Sequence, residues 1–462
     1  MRNVLIVLSS FIFPCFIWAQ ETNYNFENYG NRSVLLSGNV TGSVEDLGLT
    51  FYNPSRLAMV KNDVFTVNAK IYSLNKIRVE NDLGQERAII NNSQFLAIPA
   101  LVAGTFKWKG EQFAYSAISR YRHEVRLQYD SPLMPIEDID LIERTTRIRL
   151  NSIAKDEWVG LSWAKSISDN FSVGVSAFLS INKSMGGTEA GTAFVIDSNS
   201  TAYFNRQIAY SMNSYGLFWK IGASYRLNEI DLGATITLPY IELLKDGNYD
   251  FHEISSGLGP GFDNLAIEKF KKLDTQRKQP FGIAVGAGIS IRRSKLHLNL
   301  DWHAGRSAYT QLSVPSFQID ASTTVSPRFR QSLNPVLNYG VGAEVYLNQV
   351  LKGYASFSTD FSAEKNTKDL FDLTSSNGMD IDFSEDFLHI AGGFEISLSW
   401  AHLMIGSIYT TGSSKYLAPI HIPGNIYEIN TSSSKIHYDR WNFIVGFEIP
   451  FLDTLVENKK ED

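Results

Sequence analysis

The chain has 462 residues, with 42 Lys+Arg against 48 Asp+Glu and a formal net charge of −6. That mild acidity gives no basis for nucleic-acid binding. A single cysteine, Cys15, excludes a disulfide framework, and no later stretch approaches the roughly 18 uninterrupted apolar residues of a membrane helix.

Met1-Arg2-Asn3 and the apolar run from Val4 to Trp18 read as a secretory signal peptide, residues 1–19, closing on Ile17-Trp18-Ala19. Cys15 follows Ile12-Phe13-Pro14, which lacks the small residues of a lipid-acylation site. Cleavage therefore leaves a mature chain without cysteine. Residues 20–61 come next, polar and punctuated by glycine, with little period-two pattern. This lead segment closes on Phe51-Tyr52-Asn53-Pro54, where proline restricts its own backbone and that of its neighbour. Such a piece suits a lumen plug or a free periplasmic arm.

Beyond it the chain alternates strictly. Tyr215, Leu217, Trp219, Ile221, Ala223 and Tyr225 share one strand face, and Gly216, Phe218, Lys220, Gly222, Ser224 and Arg226 share the other. About a dozen residues is twice an ordinary soluble strand and suits a tilted membrane-crossing one. Such segments begin near Asp63, Phe95, Glu111, Arg144, Asn170, Phe204, Ile230, Gln279, Lys295, Arg330, Leu351, Phe387, Ala401 and Ser434. Tight connections such as Lys109-Gly110 and Leu227-Asn228 alternate with long ones such as 241–278 and 362–386. In lipid every backbone group must be paired, so strands can cross only as a closed barrel. The expectation is an all-β fold, a 14-stranded antiparallel transmembrane β-barrel over residues 62–451. Short turns and both termini would be periplasmic, in the outer membrane of a Gram-negative bacterium. Trp108, Trp163, Trp219, Tyr225 and Trp400 lie near the tight turns, where an aromatic girdle belongs. A soluble β-sandwich would use shorter strands. Residues 452–462 follow the last strand as a charged tail.

The run from Ser37 to Ala58 resembles the FadL-type outer-membrane transport proteins for long-chain fatty acids and other hydrophobic compounds. Glu45-Asp46, Phe51-Tyr52-Asn53-Pro54 and Leu57-Ala58 match that family's acidic position and its aromatic Asn-Pro stretch. The resemblance implies that residues 20–61 form a hatch folded inside the barrel, with Glu45, Asp46, Phe51, Tyr52, Asn53 and Pro54 as the hatch motif. It also implies a channel for passive uptake of hydrophobic, anionic small molecules. Its partners would be outer-membrane lipid and the ligand. Some barrels of this type serve protein secretion, so a docking or accessory subunit of a secretion or surface-assembly complex is the alternative. Ser55-Arg56 departs from the family's Ala-Gly and places a long cation beside the hatch turn. The tail departs too, since these barrels usually end on a terminal aromatic.

No enzyme signature is present. The eight histidines are scattered, with no His-Glu-x-x-His pair, and neither a metal nor a cofactor is expected. The candidate ligand residues are basic. Alternation places Arg120, Arg122 and Arg126 on one inward face, with Arg147 and Arg149 on the returning strand. Such a wall can grip a carboxylate, or it is a charge ladder balanced by Glu124, Glu344, Glu395 and Glu448. In the longest loop, Asp263 is placed to cap a short helix, with Leu265, Ala266, Phe270 and Leu273 along one side as an apolar landing site. Pro99 cannot donate to a ladder and marks a candidate lateral gate or a bulge. The family's wall kink lies in the third strand, which here contains neither Pro nor Gly.

Overall fold

The computed structural model describes residues 23–60, 63–82, 85–94, 98–130, 133–135, 143–197, 199–258, 263–327, 329–363, 385–417 and 433–450. The expected signal peptide and charged tail lie outside these residues.

Fourteen antiparallel strands close into one barrel. In chain order they are β1 (Val64–Asp82), β2 (Ile98–Trp108), β3 (Glu111–Asp130), β4 (Glu143–Ser166), β5 (Phe171–Asp197), β6 (Ser200–Leu227) and β7 (Ile230–Thr237). The second half comprises β8 (Gly282–Ile291), β9 (Ser294–His303), β10 (Val336–Tyr346), β11 (Leu351–Asp360), β12 (Phe387–Ser397), β13 (His402–Leu417) and β14 (Ser433–Pro450). Each pairs with its sequence neighbour, and β14 closes on β1 from Val64↔Pro450 to Glu80↔Lys435. Ser166 and Phe171, or Leu227 and Ile230, are joined by the tight turns expected of such barrels. Lys109 and Asn228 adopt left-handed backbone in two of these turns (φ 51° and 49°).

Alternation separates the two faces. Outward residues include Val159, Leu161, Leu179, Ile181, Ile221, Leu298 and Leu300, all large, apolar and exposed. Inward residues such as Ser162, Ser172, Ser176, Ser180 and Ser224 are small, polar and buried. Only a surface facing lipid makes this inside-out distribution stable. No helix of the described residues is long and apolar enough to cross a membrane.

The wall has two heights. Strands β4, β5 and β6 run 24, 27 and 28 residues. Strands β7, β8 and β9 run only 8, 10 and 10. The low side ends along one line of cross-strand partners, Thr237↔Gly282↔His303↔Val336. Pro239, Pro280 and Pro335 stand within two residues of those ends, and proline removes the donor that a continuing ladder needs. Above the line, Ile241–Ser256 leans onto β6 and pairs with Asn264–Leu273. Arg306–Leu312 pairs separately with Phe329–Leu333. The strand expected from Arg330 therefore enters the barrel only at Val336.

At the loop end one expectation changes, and at Pro99 the bulge alternative is the one seen. Asn264–Leu273 is a strand rather than a capped helix, because Ile241–Ser256 offers its free edge to it. Leu265 then points outward, opposite Ala266. At Pro99 the structure has a bulge. Leu101 pairs with Asn68 and Pro99 with Ala69, so one residue is skipped while β1 keeps partners on both sides.

Candidate functional site in the barrel lumen

Residues 23–60 lie against inward-facing residues of strands around the barrel and are almost wholly buried. Their path is set by local chemistry. Asp46 accepts hydrogen bonds from Ser33 N (2.8 Å), Ser33 Oγ (2.7 Å) and Gly48 N (2.9 Å), tying two turns together. Gly30 has φ 90°, and a Cβ there would stand 2.6 Å from the Asp46 carboxylate. Asn53 caps the following 3-10 turn, accepting from Ser55 N at 3.2 Å, and its amide donates to Thr41 O (2.8 Å) and Ala223 O (3.2 Å). Phe51 packs edge-on against Tyr29 and Tyr52, with centroids at 4.7 and 5.2 Å. Tyr52 accepts from Tyr29 N and donates to Asn28 Oδ1.

The wall receives this segment through glycines. A Cβ on Gly174 would lie 2.6 Å from the Pro54 carbonyl, and one on Gly286 would lie 2.7 Å from Gly42 N. Asn53 occupies that space at Gly222, Thr41 at Gly233, Asn39 at Gly340, Leu35 at Gly406 and Asn31 at Gly446. Several of these glycines are direct cross-strand partners, Gly174 with Gly222 and Gly233 with Gly286. The alternation shows glycine on the inward face, but the match of each one to an atom of residues 31–54 needs the folded register.

Ion pairs complete the seat. Arg32 binds Glu395 (2.8 Å) and Glu448 (3.4 Å), Arg56 binds Asp231 (3.3 Å), and Glu45 binds Lys295 (2.5 Å). Glu395 and Glu448 thus hold the N-terminal segment rather than balance an arginine wall, and Glu344 pairs with Lys352. Arg56 is the long cation that departs from the family pattern, and buried Asp231 accounts for it.

Of the five arginines read as an inward wall, only Arg120 is there. Between Ser119↔Glu157 and Tyr121↔Asp156 the β3–β4 ladder skips Arg120. A one-residue slip moves every later side chain to the opposite face. Tyr121 consequently turns inward onto Phe26 (5.9 Å), while Arg122 and Arg126 turn outward. Arg126 pairs with Glu124 there. Arg147 and Arg149 do share a face, but it is the outer one, where they pair with Asp130 and Glu189. The third strand carries its irregularity without Pro or Gly, hence no composition signal.

Arg120 is buried and donates to Tyr24 O (2.9 Å) and the Tyr29 hydroxyl (3.3 Å), over the rings of Phe51 (5.4 Å) and Trp158 (5.9 Å). It borders a cavity of about 40 Å³ together with Phe51, Tyr52, Trp158, Lys220 and Asp301. The Lys220 ammonium sits 3.9 Å from the centre of the Phe51 ring. The same cavity touches Thr237, Gly282 and His303 on the line where the low wall ends. Segment 274–281 crosses there, and buried Arg277 reaches Asp156 (2.5 Å) and Ser180 (2.7 Å) on the tall side. Above, Tyr249, Phe251, Phe317, Phe329, Phe387 and Tyr438 form an apolar cluster, against which Phe270 and Leu273 pack. Sequence reasoning missed Lys220, Asp301 and Arg277. Lys220 stood on an inward face, while Arg277 sat in an apparent loop.

No family model matches the sequence, and no curated protein matches it. Solved structures do. A Pseudomonas aeruginosa FadL homologue aligns over 94% of this chain and 100% of its own, at TM-score 0.53 and 12% identity. This chain has the FadL-type fold. The Pseudomonas putida toluene transporter TodX aligns over 94% and 100% (TM-score 0.56, 12% identity). The Ralstonia pickettii toluene transporter TbuX aligns over 93% and 100% (0.51, 10%). At identities this low the alignments establish the fold alone.

Proposed function

We propose that this barrel is an outer-membrane channel for passive uptake of hydrophobic small molecules, with its long loops outside and both termini periplasmic. The observation that carries the reading is the lumen itself. An aromatic cluster at the loop end leads to a small cavity, which residues 23–60 close as a hatch. Structural likeness to proteins described as toluene transporters and a monoaromatic hydrocarbon channel supports the hydrophobic cargo. Phe270 and Leu273 belong to the entry cluster, whereas outward Leu265 does not.

Arg120 and Lys220 beside the cavity favour an anionic head, as in a long-chain fatty acid, since cations over aromatic rings can take a carboxylate. At Pro99 the described residues keep their pairing to β1 across the bulge, so the proposed exit is placed elsewhere. Exit passes instead through the low wall at Pro239 and Pro280, once segment 274–281 and the hatch shift.

The test is binding of a fluorescent long-chain fatty acid to the purified barrel, with toluene as competitor, in wild type, Arg120→Ala and Lys220→Met. Saturable binding displaced by toluene and weakened in both variants supports a channel for anionic hydrophobic cargo. Binding unaltered by the variants removes the anionic assignment. A folded, heat-modifiable barrel that binds neither probe defeats the channel reading and turns the search to a secretion partner.

A further inference from the structure

The outer face of the tall wall carries a feature the channel reading does not use. Arg122 is the direct cross-strand partner of Lys155, and Lys155 of Lys183. The slip at Arg120 brings Arg122 into this row, which spans three strands, or about 10 Å. Like charges directly opposite one another repel, and none of the three makes an ion pair among the described residues. One acid, Glu157, lies within electrostatic reach of Arg122 and Lys155 and offsets part of the row's charge, and the other acids nearby are engaged elsewhere. Glu157 accepts from Ser119 Oγ (3.0 Å), and Glu124, Glu189 and Asp130 bind Arg126, Arg149 and Arg147.

The row sits where the apolar band ends. On β5 the outward side chains climb from Val173 through Val175, Ala177 and Leu179 to Ile181, and Lys183 is next. From Phe171, the first residue of β5, to Lys183 is twelve steps. At ~3.3 Å per residue and a tilt of ~40° these climb about 30 Å, just past an apolar band ~25 Å tall. Neighbouring Val159, Leu161 and Leu179 are exposed below the row.

We propose that Arg122, Lys155 and Lys183 bind the phosphate of an anionic lipid in the outer leaflet, with its acyl chains lying along Val159, Leu179 and Ile181. The charge complementarity is direct. An arginine fork and two ammonium groups meet a phosphate at headgroup depth, and the lipid balances the positive charge that Glu157 alone leaves in excess. The site rests on the orientation given above, with the loop end outside.

The experiment is native mass spectrometry of the full-length barrel in zwitterionic detergent, titrated with bis-phosphorylated lipid A and with its dephosphorylated form. Wild type should bind the phosphorylated lipid saturably, and the Arg122→Gln/Lys155→Gln/Lys183→Gln variant at least ~10-fold more weakly. The dephosphorylated lipid should bind wild type as weakly as that variant binds the phosphorylated one. Equal binding by the triple variant, or equal binding of the two lipids, overturns the proposal. If the triple variant fails to fold, Lys183→Gln alone, at the most exposed of the three, must weaken binding several-fold. The readout needs no transport, so its failure leaves the channel reading intact and is distinguishable from failure of fatty-acid binding.

Discussion

The two ends of the lumen are filled by different physics. At the turn end, residues 31–54 approach the wall at backbone distance, through positions such as Gly174 and Gly286 that have no side chain to spare. At the loop end rings pack on rings, Phe251 on Phe317 at 5.1 Å, Phe329 on Tyr249 at 6.0 Å and Phe387 on Tyr438 at 5.5 Å. Backbone against glycine admits one arrangement, because any added atom collides. Rings at 5–6 Å tolerate displacement, and an apolar cargo can replace one ring's contacts with its own. On the proposed channel reading, the contrast puts closure at one end and adaptable entry at the other.

Several substitutions would break or sharpen that contrast. Gly174→Val drives a side chain into the Pro54 carbonyl and should cost about 3 kcal/mol or more. Planar-bilayer recordings should then show larger or less stable conductance as the seat opens. Arg277→Met leaves Asp156 buried without its cation, at roughly 3 kcal/mol, read as a lower urea midpoint for loss of heat-modifiable mobility. The double change Arg277→Met/Asp156→Leu should recover most of that loss. Asp46→Ala removes an acceptor that three donors share and should cost about 2 kcal/mol, with protease access to residues 23–60 as the readout. Phe317→Ala at the loop end should cost about as much or less in stability, yet weaken binding of an apolar probe more than any turn-end change. Arg126→Ala and Arg149→Ala, exposed on the outer face, should stay within about 0.5 kcal/mol of wild type and leave binding unchanged. A clear loss of binding there would return those arginines to the lumen.

The period-two pattern alone determined the strands, their tight turns and the 14-fold count, because side-chain alternation is a local property of extended backbone. The same holds for the polar, glycine-punctuated character of residues 23–60 and the Asn53-Pro54 turn. Local pattern could not foresee the slip at Arg120. A bulge in β3 is decided by what must face inward on both sides of it, Ile118 below and Tyr121 above, and it reversed the faces of Arg122 and Arg126. Nor could it foresee that Asn264–Leu273 pairs with an edge supplied by Ile241–Ser256, or that Arg277 crosses to Asp156. Each of these joins residues far apart in sequence, and their partners exist only after the barrel has closed.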